Sequence, residues 1–195
     1  LWISFNGYWP ERKGACPTTT FKDLEAVPTI QRLIDNKCKG LICATAGNTG
    51  RSFTYYCGMI GFPLLVIVAE KHLDRIWIPK DHPISSVTLV AIGNGADYND
   101  AIEIAEEISQ NVEWQNEGGV RNVARRDGIG TLMLDAAFAM NRLPDHYFQA
   151  VGGGPGPIGV HEMAHRFLDS KIFEGNLPRI HLGQNIEHSP IHNAW

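Results

Sequence analysis

The chain has 195 residues, enough for one large domain or two small ones with a sizeable core. Apolar residues make up 44% and charged residues 19%, an ordinary globular balance, and the net charge of −4 with no basic tract argues against nucleic acid as a partner. No stretch of about 18 apolar residues exists, so no membrane span is expected, and none of Cys16, Cys38, Cys43 and Cys57 sits in a C-x-x-C pair, so a zinc ribbon has no support.

In chain order, Leu1–Phe5 reads as a strand-like run, and the absence of Met at position 1 marks the start as cut. Gly40–Ala44 reads as a buried strand, and a helix over Gly50–Ile60 opens at an Asn-Thr-Gly turn. Pro63–Ala69 and Val87–Ile92 are further apolar strands. Asn99–Gln110 is a helix that Asn99 can cap, with Ala101, Ile104, Ala105 and Ile108 on one face and acids on the rest. Residues 116–130 are irregular, basic and glycine-rich, either a mobile loop beside the site or a solvated surface loop. Ile129–Met140 is helical, Tyr147–Val151 is a strand running into glycines, Val160–Leu168 is helical, and Arg179–Leu182 is a short strand. The end at Trp195 falls inside what reads as a helix start, so the chain is expected to be incomplete at both ends. Three of the cysteines lie in or beside apolar runs, where a reduced, buried thiol is the ordinary state, and the redox expectation is cytoplasmic.

Short apolar runs alternating with helices argue for parallel strands in an α/β sheet covered on both faces. In such sheets ligands bind beyond the carboxyl ends of the strands. The functional loops are therefore expected after Ala44 and after Val151.

Three segments carry chemistry. Thr18–Asp23 holds Lys22 in an apolar and hydroxyl-rich context; a lysine alone is usually a surface charge, but one that forms an imine needs a depressed pKa beside a desolvated ring. Ala44–Ser52 (ATAGNTGRS) joins a strand to a helix, where backbone N–H groups can bind an anion and Gly47 and Gly50 permit close approach. It can equally be a plain strand-to-helix turn. Val151–Gly159 (VGGGPGPIG) has the strand-to-helix setting of a phosphate cradle, yet no lysine follows as in a P-loop, and it makes no convincing G-x-G-x-x-G.

The order of the three segments resembles the threonine synthase-like family of fold-type II pyridoxal-phosphate enzymes. TFKD resembles that family's lysine motif, TAGNTG its asparagine loop and VGGGPGPIG its phosphate loop, and the stretch from Pro178 onward is similar to the strand and helix start that follow. The resemblance implies an α/β, tryptophan synthase β-like, three-layer parallel-sheet core. Residues 1–195 would be part of the catalytic core, with a smaller Rossmann-like subdomain over about 30–120 and the remainder in the larger subdomain. It implies pyridoxal 5'-phosphate (PLP) as cofactor, with Lys22 as the imine lysine and Asn48 bonding the ring oxygen. Gly152, Gly153, Gly154 and Gly156 would cradle the phosphate, and Thr45, Gly47 and Thr49 would lie where the substrate carboxylate is gripped. The expected partner is a small amino acid substrate, with no nucleic acid and no membrane, in a cytoplasmic homo-oligomer. Within the family, Ser4–Arg12 and the TFKDLEA run look most like the branch that exchanges the phosphate of O-phosphoserine for sulfite in coenzyme M formation; threonine synthases and other lyases of the fold are the near alternatives.

The chain departs from the family in three ways. Pro155 and Pro157 remove N–H donors from the phosphate loop, Arg51 stands where small residues are common, and the partner of the pyridine nitrogen would lie beyond Trp195. Arg51, Arg121, Arg125 and Arg126 are candidates for gripping a phosphate or sulfite, though a solvated surface arginine is the ordinary state of each. A rival reading also exists. His161-Glu-Met-Ala-His165 matches H-E-x-x-H on a predicted helix and could bind zinc with Glu162 as base, His181, His188 or His192 supplying a third ligand. A non-catalytic relative that binds a phosphorylated ligand or a partner is the third reading.

Overall fold

The computed structural model describes residues 1–186 and 189–194. The chain divides into two units, Phe5–Gly118 and residues 119–195 together with Leu1–Ser4. Leu1–Phe5 forms no strand: its residues are exposed, and the antiparallel pairing nearby is made by β1 (Tyr8–Trp9) and β2 (Gly14–Ala15).

In the first unit α1 (Lys22–Asp35) leads to β3 (Leu41–Thr45), α2 (Asn48–Ile60), β4 (Leu64–Ala69), β5 (Val87–Ile92), α3 (Tyr98–Asn111) and β6 (Gln115–Asn116). No element is expected over residues 22–35, where Pro28 interrupts the helical pattern, yet the helix runs through it. Strands β5, β4, β3 and β6 pair in that order, all parallel, with Leu41 opposite Leu64 and Leu64 opposite Val87. The period of two along a strand splits the core in two. Leu41, Cys43, Leu64 and Val66 pack with Ala26, Ile30 and Leu33 of α1 and Phe53 and Cys57 of α2. Ile42, Ala44 and Ile67 pack with Ala101 and Ala105 of α3. The result is helix, parallel sheet, helix, in three layers. Each large apolar side chain buried this way contributes about 1.5–3 kcal/mol.

Two expectations for this unit change. β5 is not covered on both faces, because it is the edge strand and its four central residues, Thr88–Ala91, are exposed. The cap of α3 is Asp97, not Asn99: its carboxylate accepts from the N–H groups of Asn99 and Asp100, and Asp100 reaches back to the Asp97 N–H. This reciprocal pair satisfies donors that an aspartate two residues earlier reaches more directly.

The second unit contains α4 (Val123–Met140), β7 (His146–Ala150), α5 (Pro155–Asp169), β8 (Arg179–Gly183) and α6 (Pro190–Ala194). β7 and β8 pair in parallel, His146 opposite Arg179 and Ala150 opposite Gly183. Phe148 is 70% exposed and Leu182 41% exposed on this two-stranded ribbon. Residues 123–130 are not a loop. Asn122 caps α4 through its side-chain oxygen, and Ala124, Arg125, Gly128, Ile129 and Gly130 are buried. The glycines there serve a helix crossing. A Cβ on Gly159 would lie 2.3 Å from the Arg126 carbonyl oxygen, and one on Gly130 would lie 2.9 Å from that of Gly159. Below the crossing, Met133, Ala137, Val160, Ala164 and Phe167 form the core of the unit. α5 also begins earlier than expected, at Pro155, because proline is tolerated in a helix's first turn where no intrahelical N–H bond is lost.

Candidate active site

Lys22 is the first residue of α1, with its side chain 17% exposed. Its ammonium donates to Glu25 Oε1 at 2.7 Å and lies 4.4 Å from the centroid of the Phe21 ring. Glu25 is fully buried, so the lysine's charge is held against a desolvated carboxylate and an aromatic face. The turn that delivers Lys22 is fixed by its neighbour. Asp23 is buried and accepts from the Thr18 N–H at 3.2 Å, from the Thr18 hydroxyl, and from the Ser52 hydroxyl at 2.7 Å. The last bond ties the lysine segment to α2. Asp23 and Ser52 were not expected as site residues; the signal for them was a charged residue directly following Lys22 in an otherwise apolar and hydroxyl setting. The charge of Asp23, secondary to burial, also raises the pKa of the Cys16 thiol.

The asparagine loop follows β3. The Thr45 hydroxyl oxygen, buried at the strand end, accepts the N–H groups of Gly47 at 3.0 Å and Gly50 at 2.9 Å. It therefore braces the loop from within. Gly47 has φ +148°, a conformation other residues rarely adopt, and a Cβ there would lie 3.1 Å from Arg75 Cβ. Asn48 and Thr49 open α2, Asn48 exposed and Thr49 half-buried. Asn48 Oδ1 accepts from Arg51 Nη2 at 3.0 Å. Arg51 is itself buried, donates from Nη1 to the Arg75 carbonyl at 3.4 Å, and lies 4.6 Å over the Trp77 ring. Burial lowers its pKa, and the charge of Asp23 partly opposes this. Arg75 closes the loop by donating to the Ala46 carbonyl at 3.3 Å.

In the other unit, Gly152 and Gly153 are exposed in the turn after β7, with open space where a Cβ would stand. Gly154 caps α5 with φ +86°, and Gly156 is buried in the first turn. A Cβ on Gly156 would meet the Gln149 amide at 2.2 Å. That amide is oriented by the Tyr147 hydroxyl, which donates to Gln149 Oε1 at 2.9 Å and whose pKa burial raises to about 12. With Pro155 and Pro157 lacking an N–H, the donors at this helix start are the amides of Gly152, Gly153, Gly154 and Gly156, and a glycine turn entering a 15-residue helix is a setting that binds phosphate. The bare space at Gly152 and Gly153 fits such a group.

The histidine motif has a different local setting. His161 and His165 share a face of α5, their Nε2 atoms 3.2 Å apart. Both oxygens of Glu162 are 3.1 Å from Arg126 Nε, so the glutamate is engaged in an ion pair. His181 sits across the ribbon from His146 at 2.9 Å and stacks on Phe148, while His192 is exposed in α6. His188 lies outside the described residues. Among the described residues, no three His, Cys, Asp or Glu side chains are grouped to hold a metal ion. Of the four candidate arginines, Arg51 and Arg125 are buried rather than solvated, and Arg126 is committed to Glu162 and the Val120 carbonyl; Arg121 is exposed. None of the four cysteines is in a disulfide, and Cys43 and Cys57 are fully buried.

Residues 6–195 match the family of pyridoxal-phosphate dependent enzymes. The chain belongs to that family. As a pyridoxal-phosphate dependent enzyme sequence it is 47% identical over 195 residues to a cysteate synthase of Methanocella arvoryzae, all of this chain and 47% of that protein. It is 45% identical to a cysteate synthase of Methanosarcina barkeri with the same coverage. The chain thus spans about half the length of the curated relatives it matches. Solved structures share the fold at low identity. A pyridoxal 5'-phosphate-dependent aspartate racemase superimposes with a TM-score of 0.63 at 15% identity, over 86% of this chain and 47% of that one. O-acetylserine sulfhydrylase isoform 3 from Entamoeba histolytica gives 0.64 at 20% identity, over 77% and 46%. Among the described residues, no helix is long and apolar enough to cross a membrane.

Proposed function

We propose that the protein containing this chain is a cysteate synthase, converting O-phosphoserine and sulfite to cysteate and phosphate with PLP. The observation that carries this is the 47% identity, over the whole chain, to a cysteate synthase. In this reading residues of about 30–120 are the smaller subdomain and the remainder belongs to the larger one. The division of the chain at Gly118 and Gly119 supports that boundary.

Lys22 is the residue that links to the cofactor aldehyde. Its position at the head of α1, held by the Asp23 bonds, supports this. Gly152, Gly153, Gly154 and Gly156 bind the phosphate through the N-terminal turn of α5, and Asn48 donates to the ring oxygen. Thr49 offers its amide at the α2 start to the substrate carboxylate; the Gly47 N–H is taken by the hydroxyl of Thr45, so these two serve the site by holding the loop in shape. When bound, PLP supplies an electron sink that stabilises negative charge at the substrate Cα. The Lys22 amine would take the Cα proton and give it back to Cα once the phosphate has left from Cβ and sulfite has added there. The same reading carries a homo-oligomer in the cytoplasm.

In the full-length protein, PLP should give a visible band at about 410–420 nm, where a protonated imine of this cofactor absorbs. Lys22→Ala should abolish it; an unchanged spectrum removes Lys22 from its role. Phosphate release from O-phosphoserine should then depend on sulfite. Turnover of O-phosphohomoserine without it would instead mark a threonine synthase.

A further inference from the structure

A primary amide has one accepting end and one donating end, and their assignment decides what the residue can bind. At Asn48 the assignment is set by the chain itself. A guanidinium only donates, so the Arg51 bond at 3.0 Å fixes Oδ1 toward Arg51 and leaves Nδ2 as the donating end of an exposed residue. Arg51 is an unusual choice for a mere helix residue. It is 8% exposed, its Nε is buried with no partner, and among the described residues no carboxylate lies in ion-pair range of it. Its remaining contacts are a carbonyl, from Arg75, and the face of Trp77. Burying a cation on such terms costs stability that the charge of Asp23 offsets only in part, and among the described residues Asn48 is the one side-chain acceptor it hydrogen-bonds. Small residues would fill the position at no such cost.

We infer that Arg51 is a positioning residue: it holds the Asn48 amide by Oδ1, so that the loop presents a donor rather than an acceptor to the cofactor's ring oxygen. The inference rests on the PLP reading above. A rotated amide would turn a lone pair toward an oxygen that is itself an acceptor. Arg75, which supports both Arg51 and the Ala46 carbonyl, makes the arrangement a property of the loop rather than of one contact.

The test uses the full-length protein stripped of cofactor and titrated with PLP, reading the dissociation constant and the visible spectrum. Asn48→Ala and Arg51→Met should each weaken binding about tenfold or more and move the visible band. The double variant should be no weaker than the worse single variant, because both substitutions act through the same bond from Asn48 to the ring oxygen. Arg51→Lys, which keeps a donor and a charge, should restore part of the affinity. If Arg51→Met fails to fold, Arg51→Gln takes its place with the same expectation, its amide being too short to reach Asn48. An unaltered band and affinity in a folded Arg51 variant, or losses that simply add, overturn the inference. A wild-type protein that shows no visible band with PLP defeats the cofactor reading instead, which distinguishes the two failures.

Discussion

Thr45 shows how one side chain can set a loop. Its hydroxyl oxygen takes the backbone N–H groups of two buried glycines, and a Cβ on Gly50 would lie 2.4 Å from its methyl group. Thr45→Val keeps the shape but orphans both donors, at about 1–3 kcal/mol each. Urea unfolding of the variant should therefore show a loss of about 2 kcal/mol or more, and Thr45→Ser should recover most of it. Equal stability of the Val and Ser variants would show that the bonds contribute nothing. Gly152 provides the opposite case. A Cβ there meets nothing and its backbone is not in the left-handed region, so Gly152→Ala should leave the unfolding midpoint unchanged. A fall in PLP affinity in the same variant then reports on the phosphate site alone. Among single residues, Lys22 and Asn48 were legible because they sit in short motifs. Asp23 and Ser52 were not, since the bond that joins them crosses 29 positions of sequence that local pattern cannot register, and Arg51 stood out as a candidate anion grip rather than as the partner of Asn48.

The elements were legible where the period of two or of 3.6 stood clear of interruptions. β3, β4, β5 and β7 were read within a residue or so of their bounds, because their apolar runs are short and flanked by glycine or proline. α1 was hidden by Pro28, and the first turns of α4 and α5 by glycines and prolines that ordinarily mark loops. In α4 and α5 these residues have another purpose. Gly130 and Gly159 let two helices touch backbone to backbone. Gly159→Ala would place a methyl group against the Arg126 carbonyl, which cannot yield as a flexible side chain would. Forcing the helices apart should cost about 1–3 kcal/mol. Thermal unfolding should show a lower midpoint, and a midpoint equal to wild type would mean the crossing can relax.

At the scale of the whole molecule, the parallel three-layer unit followed from alternation alone, while the exposure of β5 did not, because an apolar run does not reveal whether it is central or at an edge. Burial in the cores of the two units gives the protein an alkaline limit. Burial raises the pKa of Cys57 from 9.0 to about 12, and that of Tyr147 from 10.0 to about 12. In both, the folded state holds its proton at a pH where the unfolded chain has released it. Stability from these groups is thus full below about pH 9 and is lost as pH rises toward 12. Urea midpoints should fall across that window, and Cys57→Val should flatten the fall; an identical slope would exclude the thiol as a contributor.

The ribbon of β7 and β8 has a practical consequence. Two parallel strands with aromatic and aliphatic groups facing water offer unsatisfied edges and a greasy surface to any neighbour. A recombinant polypeptide of these 195 residues should therefore bind a dye such as anilinonaphthalene sulfonate while still folded, elute late or broadly from a sizing column, and precipitate as it is concentrated. A polar substitution at Phe148 is the simplest remedy, and its success would identify that strip as the source of the stickiness.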